Sequence, residues 1–199
     1  IEKRNLFSGM DWATETCDHR LVSEYALLLF DFLWVRGYWI EGRERMIRGA
    51  EAARIVGDAR SEAQLRFYAG QLHRYQADYD EAQRQFQLCR KLEKHSKDLG
   101  LRCRVWTELG ILSRYRCNYT RAKAYYRRCL KLGSEAPDQV RANVLHEIGV
   151  LLGLQGRFDE AKQYCEEARA LAEQLNDRTM LASTLHQLSL LHLLSGENH

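Results

Sequence analysis

The sequence has a single proline in 199 residues. So little proline points to long, uninterrupted helices. It also has no long apolar run: the longest, Tyr25 to Phe30 with Phe32 to Val35, is broken by Asp31 and falls short of the roughly eighteen residues a membrane span requires. No membrane partner is expected. Six cysteines at 17, 89, 103, 117, 129 and 165 contain no Cys-x-x-Cys pair, which argues against a zinc site or a disulfide framework and for reduced thiols. There is no P-loop. No nucleophile, base and oxyanion donor are set at a spacing that would bring them together, so neither an enzyme nor a cofactor is expected. The chain begins at Ile1 without a signal-like segment and reads as a fragment of a longer cytoplasmic protein.

What the sequence does have is a repeat. Between Trp106 and Leu130 an amphipathic run carries Trp106, Leu109 and Gly110, and after a short break a second run carries Tyr119, Ala122, Tyr126 and Cys129. A shift of forty residues one way, or thirty-nine the other, places Gly110 on Gly70 and Gly149, Ala122 on Ala82 and Ala161, and Tyr119 on Tyr79 and Phe158. Such a period marks stacked helical hairpins. Asp58, Asp98, Asp138 and Asp177 each precede a new apolar run, where a carboxylate can accept the free N–H groups of a helix start. The small residues Gly70, Gly110, Gly149 and Ser189 of the first helices are expected to meet Ala82, Ala122 and Ala161 of the second. Residues 1–19 read as a lead-in helix and 20–199 as a solenoid with units at about 20–57, 58–97, 98–136 and 137–176, then an incomplete 177–199 whose second helix is missing. The first unit is degenerate, with Gly42, Met46 and Gly49 where the next has Ala82, Phe86 and Cys89.

Charge is uneven. From Arg84 to Lys131 there are fourteen Lys or Arg against Glu93, Asp98 and Glu108, so the window carries +11 in a chain whose net charge is +3, leaving −8 for the rest. A basic middle attracts acidic protein, an anion or nucleic acid. Nucleic acid is disfavoured because no groove-reading motif accompanies the charge. Cys89 and Cys129 share one repeat position and read as core.

Leu109-Gly110, Tyr119, Ala122, Tyr126 and the turn Gly156-Arg157-Phe158-Asp159-Glu160-Ala161 resemble the tetratricopeptide repeat signature. That resemblance implies an all-α, right-handed superhelical solenoid of antiparallel helix hairpins. The forty-residue period departs from the usual thirty-four. In this it resembles the repeats attached to bacterial STAND (NB-ARC-like) signalling ATPases, as do Asn5-Leu6 with Asp11-Trp12-Ala13 and the stretch Arg36-Gly37-Tyr38-Trp39-Ile40-Glu41-Gly42-Arg43.

The resemblance implies a non-catalytic domain whose first helices line a concave groove for a protein or peptide. By helical spacing that face holds Glu24, Asp31 and Trp34; Gln64, Phe67, Gln71, Arg74 and Tyr75; Arg104, Thr107, Glu108, Ile111, Arg114 and Tyr115; then Asn143, His146, Glu147, Val150 and His186. Arginines beside tyrosines suit a protein partner, since guanidinium forks grip carboxylates while rings supply contact area. His146 and His186 are forty apart and lack a third metal ligand, so they read as groove residues. Further partners implied are the nucleotide-binding module of a parent protein and, through the uncapped terminal repeat, a second copy of the chain. A free-standing scaffold is the alternative role.

Overall fold

The structure, a computed structural model, describes residues 2–93 and 98–196. Among the described residues every regular element is helical, as the periodicity predicts. The chain divides into two compact units, Ile1–Asp98 and Leu99–His199. The N-terminal unit contains α1 (Glu2–Glu15), α2 (His19–Val35), α3 (Trp39–Val56), α4 (Ala59–Tyr75) and α5 (Tyr79–Glu93). The C-terminal unit contains α6 (Leu99–Tyr115), α7 (Tyr119–Leu130), a short 3-10 turn (Gly133–Glu135), α8 (Asp138–Leu154), α9 (Phe158–Gln174) and α10 (Arg178–Leu194). No helix among the described residues is long and apolar enough to cross a membrane.

The connections explain why consecutive helices run antiparallel. Helices end on a residue in the left-handed conformation at Cys17, Gly37, Gly57, Ala77, Cys117, Gly156 and Asn176. The next residue (Asp18, Tyr38, Asp58, Asp78, Asn118, Arg157 or Asp177) sends its N–H back across the last turn, to the carbonyls of Ala13, Leu33, Ala53, His73, Ser113, Leu152 and Ala172 respectively, at 2.8–3.0 Å. This is the Schellman closure. In most of these turns the same residue then caps the following helix with its side chain. Leu21 N–H donates to Asp18 and Ser61 N–H to Asp58, each at 3.0 Å, Arg121 N–H to Asn118 at 3.1 Å, and Met180 N–H to Asp177 at 3.0 Å. One residue closes a helix and opens the next, so each turn needs only two residues outside helical geometry.

Asp138 departs from the expected pattern. It lies inside the first turn of α8, whose cap position is Pro137, and its carboxylate accepts from Arg141 Nη1 at 2.6 Å. The proline fixes the entry angle there and removes a donor that would otherwise need a cap.

Each unit has its own apolar core. In the N-terminal unit Met10, Leu33, Met46, Leu65 and Leu72 are fully buried, with Ala26, Ala50 and Ala53 allowing close helix approach. In the C-terminal unit the core is built on Cys103, Tyr126, Val144, Leu151, Cys165 and Leu191. The small residues of the first helices do work at the hairpin contact, but what they meet differs from expectation. A Cβ on Gly70 would lie 2.6 Å from the Phe86 ring, one on Gly110 2.3 Å from the Tyr126 ring, and one on Gly149 2.4 Å from Cys165 Sγ. These partners lie one turn beyond Ala82, Ala122 and Ala161. The glycine receives a bulky side chain in the first two hairpins; at Gly149 a smaller thiol and the Ala161 carbonyl, 3.2 Å away, take that place.

First helices also pack on one another: α2 on α4 in the N-terminal unit, and α6 on α8 and α8 on α10 in the C-terminal unit. In the C-terminal unit the second helices α7 and α9 do not approach to the same extent. The first-helix side is therefore the inner side of that stack.

Candidate functional site

In the N-terminal unit, the contact between α2 and α4 is aromatic. Phe30 of α2 stacks on Tyr68 of α4 at 3.6 Å between centroids, and Trp34 meets Tyr75 edge-on at 4.6 Å. Trp39, at the start of α3, approaches the same Tyr75 ring at 5.8 Å, and the Arg74 guanidinium lies 4.4 Å from its centroid. Tyr75 remains 48% exposed and Trp39 36%. Edge-to-face rings and a cation over a ring hold one another in place while leaving area accessible. Gln64, Gln71 and Trp34 are half-buried on these helices, Asp31 is exposed, and Glu24, also exposed, takes a hydrogen bond from Arg20 at 3.1 Å. Trp34, Arg74 and Tyr75 are thus brought together. Phe67 instead is buried against Tyr68 and Phe86, because its face of α4 is covered by packing.

In the C-terminal unit the contact between α6 and α8 is polar. Arg114 Nη2 donates to Glu147 Oε2 at 3.1 Å, and Tyr126 Oη donates to the same oxygen at 3.3 Å. Burial opposes the Arg114 charge, but the Glu147 carboxylate outweighs it and holds the guanidinium's pKa above its ordinary value. Burial likewise raises the Tyr126 hydroxyl, helped by Glu147, so it stays protonated and can donate. Both partners of the Arg114–Glu147 pair are only 12–13% exposed, which makes it a tie between α6 and α8. Arg114 also lies over the Tyr115 ring at 4.8 Å, and Tyr115 is exposed.

Thr107, Glu108 and Ile111 are buried. They occupy the face of α6 covered by packing, and Thr107 Oγ1 donates to the Cys103 carbonyl at 2.9 Å. Arg104, Asn143 and Val150 are half-buried, and His186 is exposed. His146 Nδ1 sits 3.4 Å from Thr184 Oγ1, and burial lowers its pKa, partly countered by Glu147. Among the described residues no three His, Cys, Asp or Glu side chains gather as a metal site would require.

Sequence reasoning missed a buried network on the N-terminal unit. Arg66, 4% exposed, donates to Glu51 and Gln85 and reaches Glu62 at 3.4 Å, while Gln85 Nε2 donates to Glu81 at 2.6 Å. The only signal was a polar residue, Arg66, at the repeat position held by Trp106 and Leu145. Cys89, Cys103, Cys129 and Cys165 are buried, and Cys17 and Cys117 are exposed. Burial raises the Cys165 thiol to about 11.

Residues 140–199 match the tetratricopeptide repeat family. No curated protein matches the chain in sequence. Among solved structures, BtubC (BKLC) from P. vanneervenii aligns with TM-score 0.76 at 18% identity, covering 98% of this chain and 83% of that one. A Signal Transduction ATPase with Numerous Domains (STAND) protein with a tetratricopeptide repeat sensor, PH0952 from Pyrococcus horikoshii, aligns with TM-score 0.72 at 15% identity, over 98% of this chain but 31% of its own length. YrrB, a TPR protein with an unusual peptide-binding site, aligns with TM-score 0.54 at 15% identity over 96% of this chain and 86% of that one. The tetratricopeptide signature is therefore carried in sequence by residues 140–199, and the chain as a whole has the fold of a TPR-like α-solenoid.

Proposed function

We propose that this chain is a non-catalytic protein- or peptide-binding repeat domain, and that it serves as the sensor arm of a larger signalling ATPase. Tetratricopeptide repeats generally mediate protein or peptide binding and are generally non-catalytic. The observation that carries the binding reading is the Trp34–Tyr75–Trp39 cluster with Arg74 over its exposed ring. Rigid aromatic area beside a guanidinium is what an extended peptide with a carboxylate would use. Selection from a displayed peptide library should return acidic peptides with an apolar anchor. Their binding should weaken by about tenfold or more in the Trp34→Ala, Tyr75→Ala double variant with helical circular dichroism unchanged, since hot-spot truncations cost ~2 kcal/mol or more. Peptides that bind the double variant as tightly as the parent would place binding elsewhere. In the C-terminal unit the same role is proposed for Tyr115, Arg104, Asn143 and His186.

The sensor-arm reading is supported by the fold shared with the STAND protein from Pyrococcus horikoshii and by the entry-segment resemblance at Asn5 to Ala13 and Arg36 to Arg43. A gene encoding no P-loop module with this chain would remove it and leave the free-standing scaffold. Self-association is a second reading, favoured by the exposed Leu185, Leu190, Leu193 and Leu194 of α10. Light scattering over a concentration series would then show dimers that vanish in the Leu190→Ser, Leu193→Ser variant, whereas a monomer at every concentration excludes it.

A further inference from the structure

The basic residues of α7 sort onto different faces. Ala122, Tyr125, Tyr126 and Cys129 are buried, and Arg121 and Arg128 lie over the Tyr125 ring at 5.8 and 5.6 Å. Thr120, Lys123 and Arg127 recur at three- and four-residue spacing, which puts them in one row. That row faces the α8–α9 turn across a cleft of about 370 Å³, whose lining includes Tyr119, Thr120, Lys123, Arg127, Gln155 and Arg157.

The cleft has the makings of an anion site. Its lining contains three cations and no acid. Arg157 is engaged by Glu160 at 2.7 Å, and among the described residues no carboxylate pairs with Lys123 or Arg127. One helix start also reaches it: α7 through Tyr119 and Thr120, the two residues ahead of the Arg121 N–H that Asn118 caps. The dipole of α7 adds positive potential to the side-chain charge there. Gln155 and Thr120 supply neutral hydrogen-bond groups, and Tyr119 supplies a ring at the rim.

We propose that this cleft binds a phosphate monoester. A monoester carries about −1.5 to −2 charge at neutral pH and three acceptor oxygens, which matches two unpaired cations better than a carboxylate would. The cleft is large enough for the phosphate and a small attached body. This site lies on α7 and a turn and does not depend on the aromatic face of the N-terminal unit, so either can fail without the other.

The test is a titration of the 199-residue chain followed by amide chemical shifts. O-phosphoserine, a phosphoserine peptide, inorganic phosphate, unphosphorylated serine and sodium sulfate are added separately at constant ionic strength. Saturable shifts centred on Thr120, Lys123, Arg127 and Arg157 are expected with the phosphate monoesters and not with serine. The Lys123→Gln, Arg127→Gln variant should bind roughly tenfold or more weakly, given the worth of a charge-assisted hydrogen bond. Affinity should also fall as the pH drops below about 6, where the monoester gains a proton. Tighter binding of the phosphopeptide than of O-phosphoserine assigns the ligand to a partner protein, and equal binding assigns it to a small phosphorylated molecule. Absence of saturable shifts with either monoester, undiminished binding by the double variant, or sulfate or inorganic phosphate binding as tightly as the monoesters would each overturn the proposal.

Discussion

Ala77 and Cys117 are held at φ of +59° and +57° to close their helices, where a Cβ crowds the following carbonyl. Replacing either with glycine is expected to stabilise the chain by up to ~1 kcal/mol, less the larger entropy glycine loses on folding. The shift of the urea midpoint measures this, and a destabilised variant would show that the side chain contributes packing. The opposite holds at Gly110. A Cβ there would sit 2.3 Å from a Tyr126 ring that is fully buried, so Gly110→Ala should cost about 1–3 kcal/mol through overpacking. His146 gives a pH prediction. Burial depresses its folded pKa below the ordinary imidazole value, so the unfolded state takes up a proton that the folded state refuses. Stability is therefore present above about pH 6.5 and lost as pH falls below it. The decline in unfolding midpoint between pH 7 and about pH 5 should be smaller in His146→Gln; an identical decline would assign it to other groups.

At the scale of the element, most was legible. Aspartate at Asp58 and Asp177 announced helix starts because a short carboxylate satisfies N–H groups that the helix leaves open. Glycine at 70, 110 and 149 announced close hairpin contact. What the sequence did not disclose was the partner of each glycine, since that depends on the relative rotation of two helices. The Arg66 network escaped for the same reason: its acids come from α3, α4 and α5, and no spacing along one helix reveals them. Removing Arg66 leaves Glu62 and Gln85 buried without their cation, so Arg66→Ala should destabilise the N-terminal unit by ~3–5 kcal/mol, read from chemical denaturation. A loss below about 1 kcal/mol would mean the network is solvated and contributes little.

At the scale of the whole molecule, the two units each have their own buried cluster, and repeat stability is dominated by nearest neighbours. Gly110→Ala should accelerate amide hydrogen exchange across α6 to α9 more than across α2 to α4. Uniform acceleration along the chain would show instead that unfolding is global and cooperative. The sequence by itself determined the helical class, the period and the turn chemistry, because these depend on residues within one or two turns of each other. Only the tertiary structure decided which first-helix residues face solvent. Phe67, Thr107, Glu108 and Ile111 share the first-helix spacing with exposed Tyr75 and Tyr115, yet they are buried. Arg114, which sequence spacing offered to a partner, is tied to Glu147 on the next first helix. Conversely, Lys123 and Arg127 gain a cleft only because the α8–α9 turn comes to lie across from α7. A helix specifies its own faces, but whether a face is a surface depends on what packs against it.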